Sequence, residues 1–478
     1  MRLAATFSLS TAAAAALVLG LNGIGRSLWL DEAWVANSIL QPSLEEMFHY
    51  REWVQSSPPL FLLGSRAAVA LLGVSNASLR AMPLLMAVLA AAGMFRLAAR
   101  VLPLSYALLA VTLLVFFTAE VEYSHSAKQY SGEVAASVGL LLALVAYLER
   151  PGARRFAWLA AATAIAMPLS YPSVFLLPGA IAAVYFKDRS RAAALAAMAA
   201  AVLGALYVFF IRPNLSGELR PYWSWDPETA FSRGTLMALA ALIVLAWASR
   251  LPLWAWLACV LPCILLAASA ALQWYPLSYR TRLFLLPCYL LAATMSLEAL
   301  SRRWRNAPLR TAIPLALAAA VAGLGIRAQL RADARVPKED PDGAVQYLQQ
   351  HVGPGDLLLI HPSVGESFRL YAAMHHWSDP PAVFGDTGWP CCPRGRTLRP
   401  HSYNEAALLA DEDRMVPSGF SGRVWMLYTI RPTHWDWVGY DESKLWRSHL
   451  ADRGCIVSAP FREFENLAIS WADCVRAK

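Results

Sequence analysis

The chain is poor in charge: only 15% of its 478 residues are Asp, Glu, Lys or Arg, while 57% are hydrophobic. A soluble globule of this length needs a polar coat that such a composition does not supply, so the chain reads as an integral membrane protein. It also lacks a concentrated basic patch. The net charge of +8 comes from Lys and Arg scattered between apolar runs, with no aromatic stacking module beside them, which excludes nucleic acid as a partner. None of its seven cysteines forms a CxxC pair, so zinc-module spacing is missing. No GxSxG elbow surrounds Ser363, and neither an internal repeat nor a low-complexity linker divides the chain.

What the chain has in abundance is apolar length. The first run covers residues 3–23 behind a single Arg2; its length, and the lack of a small-x-small cleavage site, make it a retained span rather than a signal peptide. Further spans are expected near 80–94, 103–119, 134–148, 156–170, 171–186, 192–211, 234–248, 253–272, 283–300 and 312–326, about eleven crossings in all. Pro168 and Pro172 leave open one kinked helix in place of the two short crossings between 156 and 186.

Segment 58–73 decides the topology. Read as a helix lying on the outer face, started by Pro58 and Pro59 with Arg66 reaching for headgroups, it leaves the clusters Arg96/Arg100, Arg150/Arg154/Arg155, Lys187/Arg189/Arg191, Arg250 and Arg302/Arg303/Arg305/Arg310 on the side of Arg2. The positive-inside rule requires that arrangement. It implies a multi-pass protein of the cell inner (plasma) membrane, with everything after about Arg327 extracytoplasmic. There the composition changes. A polar linker leads to a helix over 342–351, a Gly-Pro-Gly turn and a buried strand over 357–360, with further strands expected at 422–430 and 466–471. The expected organisation is a polytopic α-helical membrane part over 1–327, with its first outward loop at 25–78, and a soluble α/β domain over 328–478. Outside the cytoplasm, Cys455 and Cys474 can close a disulfide.

Candidate chemistry gathers at the outward connections. LWLDEAWVANSIL, over 28–40, sets Asp31 and Glu32 just beyond the first span, about 100° apart on a helical turn and therefore suited to different tasks. The plain alternative is an interfacial helix N-terminus stabilised by its dipole. A second loop, AEVEYSHSAKQYSGEV, carries Glu120, Glu122, Tyr123, His125, Lys128, Tyr130 and Glu133. A third, QWYPLSYRTRLFLLP, carries Tyr275, Tyr279, Arg280 and Arg282, and a fourth adds Arg212, Arg220, Tyr222, Trp223 and Trp225. Each alone fits snorkelling cations or an aromatic belt. Together they offer a carboxylate for an acceptor hydroxyl, cations for a phosphate and rings for a sugar.

In order along the chain, LWLDEAWVANSIL, then SSPPLFLLGSRAAVALLGVSNASLRAMPLL, then YSHSAKQYS resemble the GT-C superfamily of polytopic glycosyltransferases. More narrowly they are similar to its branch of protein O-mannosyltransferases, aminoarabinose lipid A transferases and lipopolysaccharide-core glycosyltransferases. The resemblance covers the membrane half. It implies a GT-C fold with periplasmic juxtamembrane helices, a polyprenyl-phosphate sugar donor, and a lipid, glycan or protein acceptor at the outer face of the bilayer. It implies Asp31 as catalytic base with Glu32 as its partner. Lys128, Tyr130 and His125, Tyr279, Arg280 and Arg282, and Ser57 with Pro58 become the substrate-binding candidates, Arg282 competing with Arg280 for the donor phosphate. The family often has His-Pro-Pro where this chain has Ser57, Pro58 and Pro59, which removes that His and any metal contact it makes. No cofactor is required in this reading, and a divalent metal is compatible with it but not demanded.

Two other readings compete. A transporter or flippase of a lipid-linked saccharide would carry ionisable residues near mid-membrane in broken, paired repeats, whereas the acids here cluster at one face. A binding module on an anchor would not need so many crossings. The tail's Asp411-Glu412-Asp413 is expected to be a solvated turn rather than a metal and nucleotide site, and His375 with His376 a surface contact.

Overall fold

The fold follows the hydropathy pattern in its first half: helices α1 (Arg2–Leu21), α2 (Leu30–Ile39), α3 (Leu44–Phe48), α4 (Pro59–Leu72), α5 (Asn76–Val101), α6 (Leu104–Val115), α7 (Thr118–Ser124) and α8 (Tyr130–Glu149). The structure is a computed structural model. It describes residues 2–50, 57–214, 233–272, 274–275, 278–304, 306–331, 338–378, 380, 382–384, 405–430, 442–460 and 462–474. Arg220, Tyr222, Trp223, Trp225, Arg305, Cys391 and Cys392 therefore lie outside the described residues.

Among the described residues, six helices are long and apolar enough to cross a membrane, or seven if α6 and α7, bent by 60°, form one broken span. Shorter apolar helices at Ser10–Leu21, Tyr171–Tyr185 and Gly234–Ala248 fall on three further expected crossings. The region 156–186 is not one continuous helix. Extended backbone at Ser170 (φ −152°, ψ 101°) ends the helix Ala153–Leu169 before Pro172 opens the next turn.

Local sequence explains the helices that frame the outward loops. Pro58 precedes α4 and Pro59 occupies its first turn, where a missing N–H costs nothing. Gly73 ends α4 with φ +78°, a conformation that side chains with a Cβ resist. Ser75 and Ser78 form a reciprocal capping box that starts α5. α5 has 26 residues, so it runs about 39 Å and holds Arg80 and Arg100 about 30 Å apart, a separation that matches the thickness of a bilayer's hydrocarbon core. Arg66 does not reach for headgroups. It donates to the carbonyls of Gln41 (2.8 Å) and Pro42 (3.1 Å) just past the C-terminus of α2, where backbone oxygens lack helical partners and a cation is favoured.

Among the described residues the tail forms a six-stranded mixed sheet, its strands numbered β1 to β6 along the chain and ordered, from the ranges that follow, β2-β1-β3-β6-β4 with β5 also on β6. β1 (Leu357–Ile360) is parallel to β2 (Ala382–Phe384) and β3 (Gly422–Thr429), while β6 (Leu467–Cys474) is antiparallel to β3, β4 (Ile456–Val457) and β5 (Arg462–Phe464). The strands expected from sequence at 422–430 and 466–471 are β3 and β6, paired in a register that sets Trp425 opposite Trp471. Asp340 caps the helix Pro341–His351 by accepting from the Gly343 amide (3.1 Å). Asp411, Glu412 and Asp413 lie inside the helix Glu405–Met415 with Glu412 buried, not on a solvated turn.

One apolar core joins the two halves. Leu28, Val35, Ile39, Phe61 and Leu79 from the membrane side pack with Leu348, Ile360, Phe368, Tyr371 and Leu427 from the tail. Cys455 and Cys474 form a disulfide that ties β4's entry to the end of β6. The loop it closes is of a length for which chain-entropy arguments give about 3 kcal/mol. Replacing both cysteines by Ala is expected to cost about that amount, read as a lower urea midpoint of tail tryptophan fluorescence under non-reducing conditions.

Candidate active site

Asp31 and Glu32 occupy the first turn of α2, and both are buried, at 7% and 0% exposure. Being adjacent on a helix, they face different partners. Glu32 turns inward. Its Oε1 accepts from Arg80 Nε (3.0 Å) and from the Ala127 amide (2.7 Å), and its Oε2 accepts from Arg80 Nη2 (2.7 Å). Arg80 donates in addition to the carbonyls of Ile24 (3.1 Å), Arg26 and Ser27 (3.0 Å). All five guanidinium N–H groups are thereby used, as burial of an arginine requires. Burial by itself would raise the Glu32 carboxyl; the Arg80 charge and its hydrogen bonds outweigh that and hold it below its ordinary value. Glu32 is therefore an ionised anchor for the turn 24–27, α2, α5 and the loop before α8.

Asp31 turns toward cations. Its Oδ2 accepts from Arg280 Nη1 at 2.9 Å and lies 4.0 Å from Lys128 Nζ. Lys128 is almost fully buried; desolvation lowers its ammonium below the ordinary lysine range, Asp31 opposing and Arg280 reinforcing the shift. Beside this group Tyr123 donates to the Tyr279 hydroxyl (3.2 Å) and packs on the rings of Tyr130 and Tyr279 at centroid distances of 4.5 and 6.3 Å. Four sequence candidates from three loops, Asp31, Lys128, Arg280 and Tyr279, thus meet in one place, with Tyr130 stacked behind.

Arg282 faces elsewhere. Its Nη1 donates to Thr235 Oγ1 (2.5 Å), and it lines a cavity of about 740 Å³ with Glu122, Tyr279 and Tyr289 among walls that are otherwise mostly apolar, such as Phe117 and Leu266. His125 is buried near Arg26, Arg80 and Glu32 but outside the Asp31 pairing. Its Nδ1 makes no hydrogen bond among the described residues, and burial, reinforced by the two guanidinium charges, lowers its pKa to about 3. Ser57 and Pro58 are buried at the start of α4, where the Ser57 carbonyl accepts from Tyr171 (3.3 Å). Among the described residues, no hydrogen bond joins them to Asp31.

Residues 56–216 match the family model of dolichyl-phosphate-mannose-protein mannosyltransferases. The whole chain is similar in fold to ArnT from Cupriavidus metallidurans. Against the structure bound to undecaprenyl phosphate the TM-score is 0.55 at 13% identity, covering 98% of this chain and 97% of that one. Against the apo structure it is 0.54 at 14% identity, covering 98% of each. The family match is confined to residues 56–216, and the likeness to the two solved structures shows a shared fold over the length of the chain. No curated protein matches it by sequence.

Sequence reasoning overlooked three residues that shape the site. Arg80 was visible as a charge inside an apolar run, which calls for a buried acidic partner. Tyr371, whose hydroxyl accepts from the Leu28 amide (2.6 Å) and donates to Asn76 (2.8 Å), and Glu339, whose carboxylate accepts from the Leu30 amide, come from the tail and had no local signal. Among the described residues no group of three or more His, Cys, Asp or Glu side chains is placed to hold a metal ion.

Two outcomes follow for stability. Arg80→Met strands a buried carboxylate and should destabilise the detergent-solubilised protein by about 3–5 kcal/mol, whereas Arg80→Met with Glu32→Leu should recover much of that loss in thermal unfolding. His125 has a folded-state pKa depressed from 6.5 to about 3, so the unfolded chain binds the extra proton between those values and stability falls as pH drops through that window. His125→Asn should make the unfolding temperature fall less steeply than in the parent between pH 6.5 and the acid limit of the window.

Proposed function

We propose that this protein transfers a sugar, hexosyl or pentosyl, from a polyprenyl-phosphate donor to a hydroxyl of a lipid, glycan or protein acceptor, inverting the anomeric centre. The observation that carries the reading is Asp31 held between Lys128 and Arg280, with the adjacent Tyr279 and Arg282 of the same loop lining a largely apolar cavity. A base, a cationic cradle and a lipid-sized apolar cavity are the parts such a reaction needs. Asp31 accepts the proton of the acceptor hydroxyl as its oxygen attacks the anomeric carbon. The bond from that carbon to the phosphate oxygen breaks, and polyprenyl phosphate leaves with the electron pair. The cavity takes the polyprenyl chain, Arg282 meets the phosphate at its rim, and Lys128 and Arg280 neutralise the charge that grows on it. Because the phosphate and Asp31 then compete for Arg280, donor binding frees the base in the step that needs it.

The undecaprenyl phosphate bound by ArnT supports a donor of this class. Tyr279 and Tyr130 offer rings for the sugar. In this reading the chain crosses the inner membrane about eleven times, with the Asp31 face and the tail outside, as the basic clusters at the far end of α5 favour. The chemistry requires neither nucleotide nor metal, and a divalent metal is compatible with it.

The test is incubation of the detergent-purified protein with a panel of polyprenyl-phosphate sugars, following donor consumption. Asp31→Asn should lower turnover by about 10²–10⁴-fold. Arg282→Ala should act mainly on donor KM, by about tenfold or more. Turnover that survives Asp31→Asn, or folded protein that consumes no donor, refutes the reading and favours transport of the lipid-linked saccharide.

A further inference from the structure

The segment entering the tail touches the catalytic turn with three consecutive side chains. Lys338 donates to Glu122 (2.5 Å) and sits 4.8 Å over the Trp29 ring. Glu339 accepts from the Leu30 amide, the first N–H of α2. Asp340 accepts from Ser27 Oγ (2.6 Å). The backbone of the same three residues is fastened to the tail sheet. Lys338's carbonyl accepts from Asn466 (2.7 Å), Glu339 bridges Glu465, and the Asp340 amide donates to the Phe464 carbonyl (3.1 Å). The tail thus holds a template against residues 27–31, and Asp31 is the next residue after the one Glu339 grips.

Glu339 is the member of this template with an uncommitted atom. Its Oε2 is buried without a hydrogen bond among the described residues. Burial raises its carboxyl to about 7; the Leu30 bond and Lys338 oppose that shift and Asp31 adds to it, so the two acids sense each other. A negative or strongly polar oxygen at the first N–H of a helix fixes the orientation of the first turn, and on α2 that turn carries Asp31.

We infer that Glu339 is a positioning residue for the transfer reaction, supplied by the tail, which sets the direction of the Asp31 side chain by gripping the start of α2. The inference rests on the reading of Asp31 as the base, and it makes a second, activity-free demand: removing the grip must loosen the first turn of α2 itself.

Glu339→Ala and Glu339→Gln separate the roles, because the glutamine amide oxygen can still accept from Leu30. For Glu339→Ala we expect kcat to fall about tenfold or more with donor KM changed less than about threefold, while Glu339→Gln stays within about threefold of the parent. Glu339→Ala with Asp31→Asn should be no slower than Asp31→Asn alone, since a residue acting through Asp31 has nothing left to position. Hydrogen exchange of the peptide spanning 28–34 should accelerate about tenfold or more in Glu339→Ala and not in Glu339→Gln. Unchanged exchange in the alanine variant overturns the inference whatever the activity shows. Exchange that accelerates with kcat intact, or losses in the double variant that multiply, also overturn it. If Asp31→Asn keeps full turnover while exchange behaves as stated, the assignment of Asp31 as base has failed and the grip of Glu339 on α2 has not.

Discussion

The ion pair between Glu32 and Arg80 is the constraint on which the face of the protein around α2 depends. Neither side chain reaches water, and removing an ion from water costs several kcal/mol unless partners replace the lost hydration. The replacement here is complete on the arginine, which takes its acceptors from the turn 24–27 and from Glu32, and the Ala127 amide adds a donor to the glutamate. Because the pair must satisfy all of them together, the turn 24–27, the start of α2, α5 and the loop holding Ala127 cannot move independently. Asp31 inherits its position from that lock. As the preceding residue on the same turn it points away from Arg80, toward Lys128 and Arg280. Two adjacent acids with different surroundings, one locked on Arg80 and one facing Lys128 and Arg280, follow from a single helical step of about 100°.

The division between membrane part and tail is weaker in space than along the chain. Leu28, Phe61 and Leu79 share their apolar core with Phe368, Tyr371 and Leu427, and tail side chains satisfy polar groups of the first outward loop at Ser27, Leu28 and Leu30. The tail therefore completes the loop after α1 as well as covering it. The large cavity is lined by residues of the membrane part alone, while the tail reaches its edge only through Lys338 on Glu122.

The parts legible in the sequence were those with local or periodic signals. The acid pair, the Lys128 loop and the Arg280 loop stood out because charge at a bilayer face is costly, and the tail helix and strands followed from caps, turns and β-branched runs. Partners set by distant packing were not legible. Arg66 looked like a headgroup contact because its carbonyl partners on Gln41 and Pro42 are chosen by the tertiary fold. Arg280 and Arg282, two residues apart, were interchangeable until the fold turned one to Asp31 and the other to the cavity. The Asp411–Asp413 acids fell in a helix because apolar neighbours such as Met415 and Val416 pack into the tail core and carry them along. His125 and Ser57, drawn by motif order, lie near the site without contacting Asp31.

The bond between the Leu28 amide and Tyr371 spans 343 positions, and this has a consequence for biosynthesis. The first outward loop leaves the ribosome early, yet its polar groups wait for a tyrosine made several hundred codons later. At about 5–20 residues per second that interval lasts from roughly a quarter of a minute to more than a minute. Throughout it, every intervening helix must insert while Leu28 still lacks its final neighbour, so the Asp31 turn matures last, and a nascent chain released before that point would carry its acids and cations without their finished arrangement.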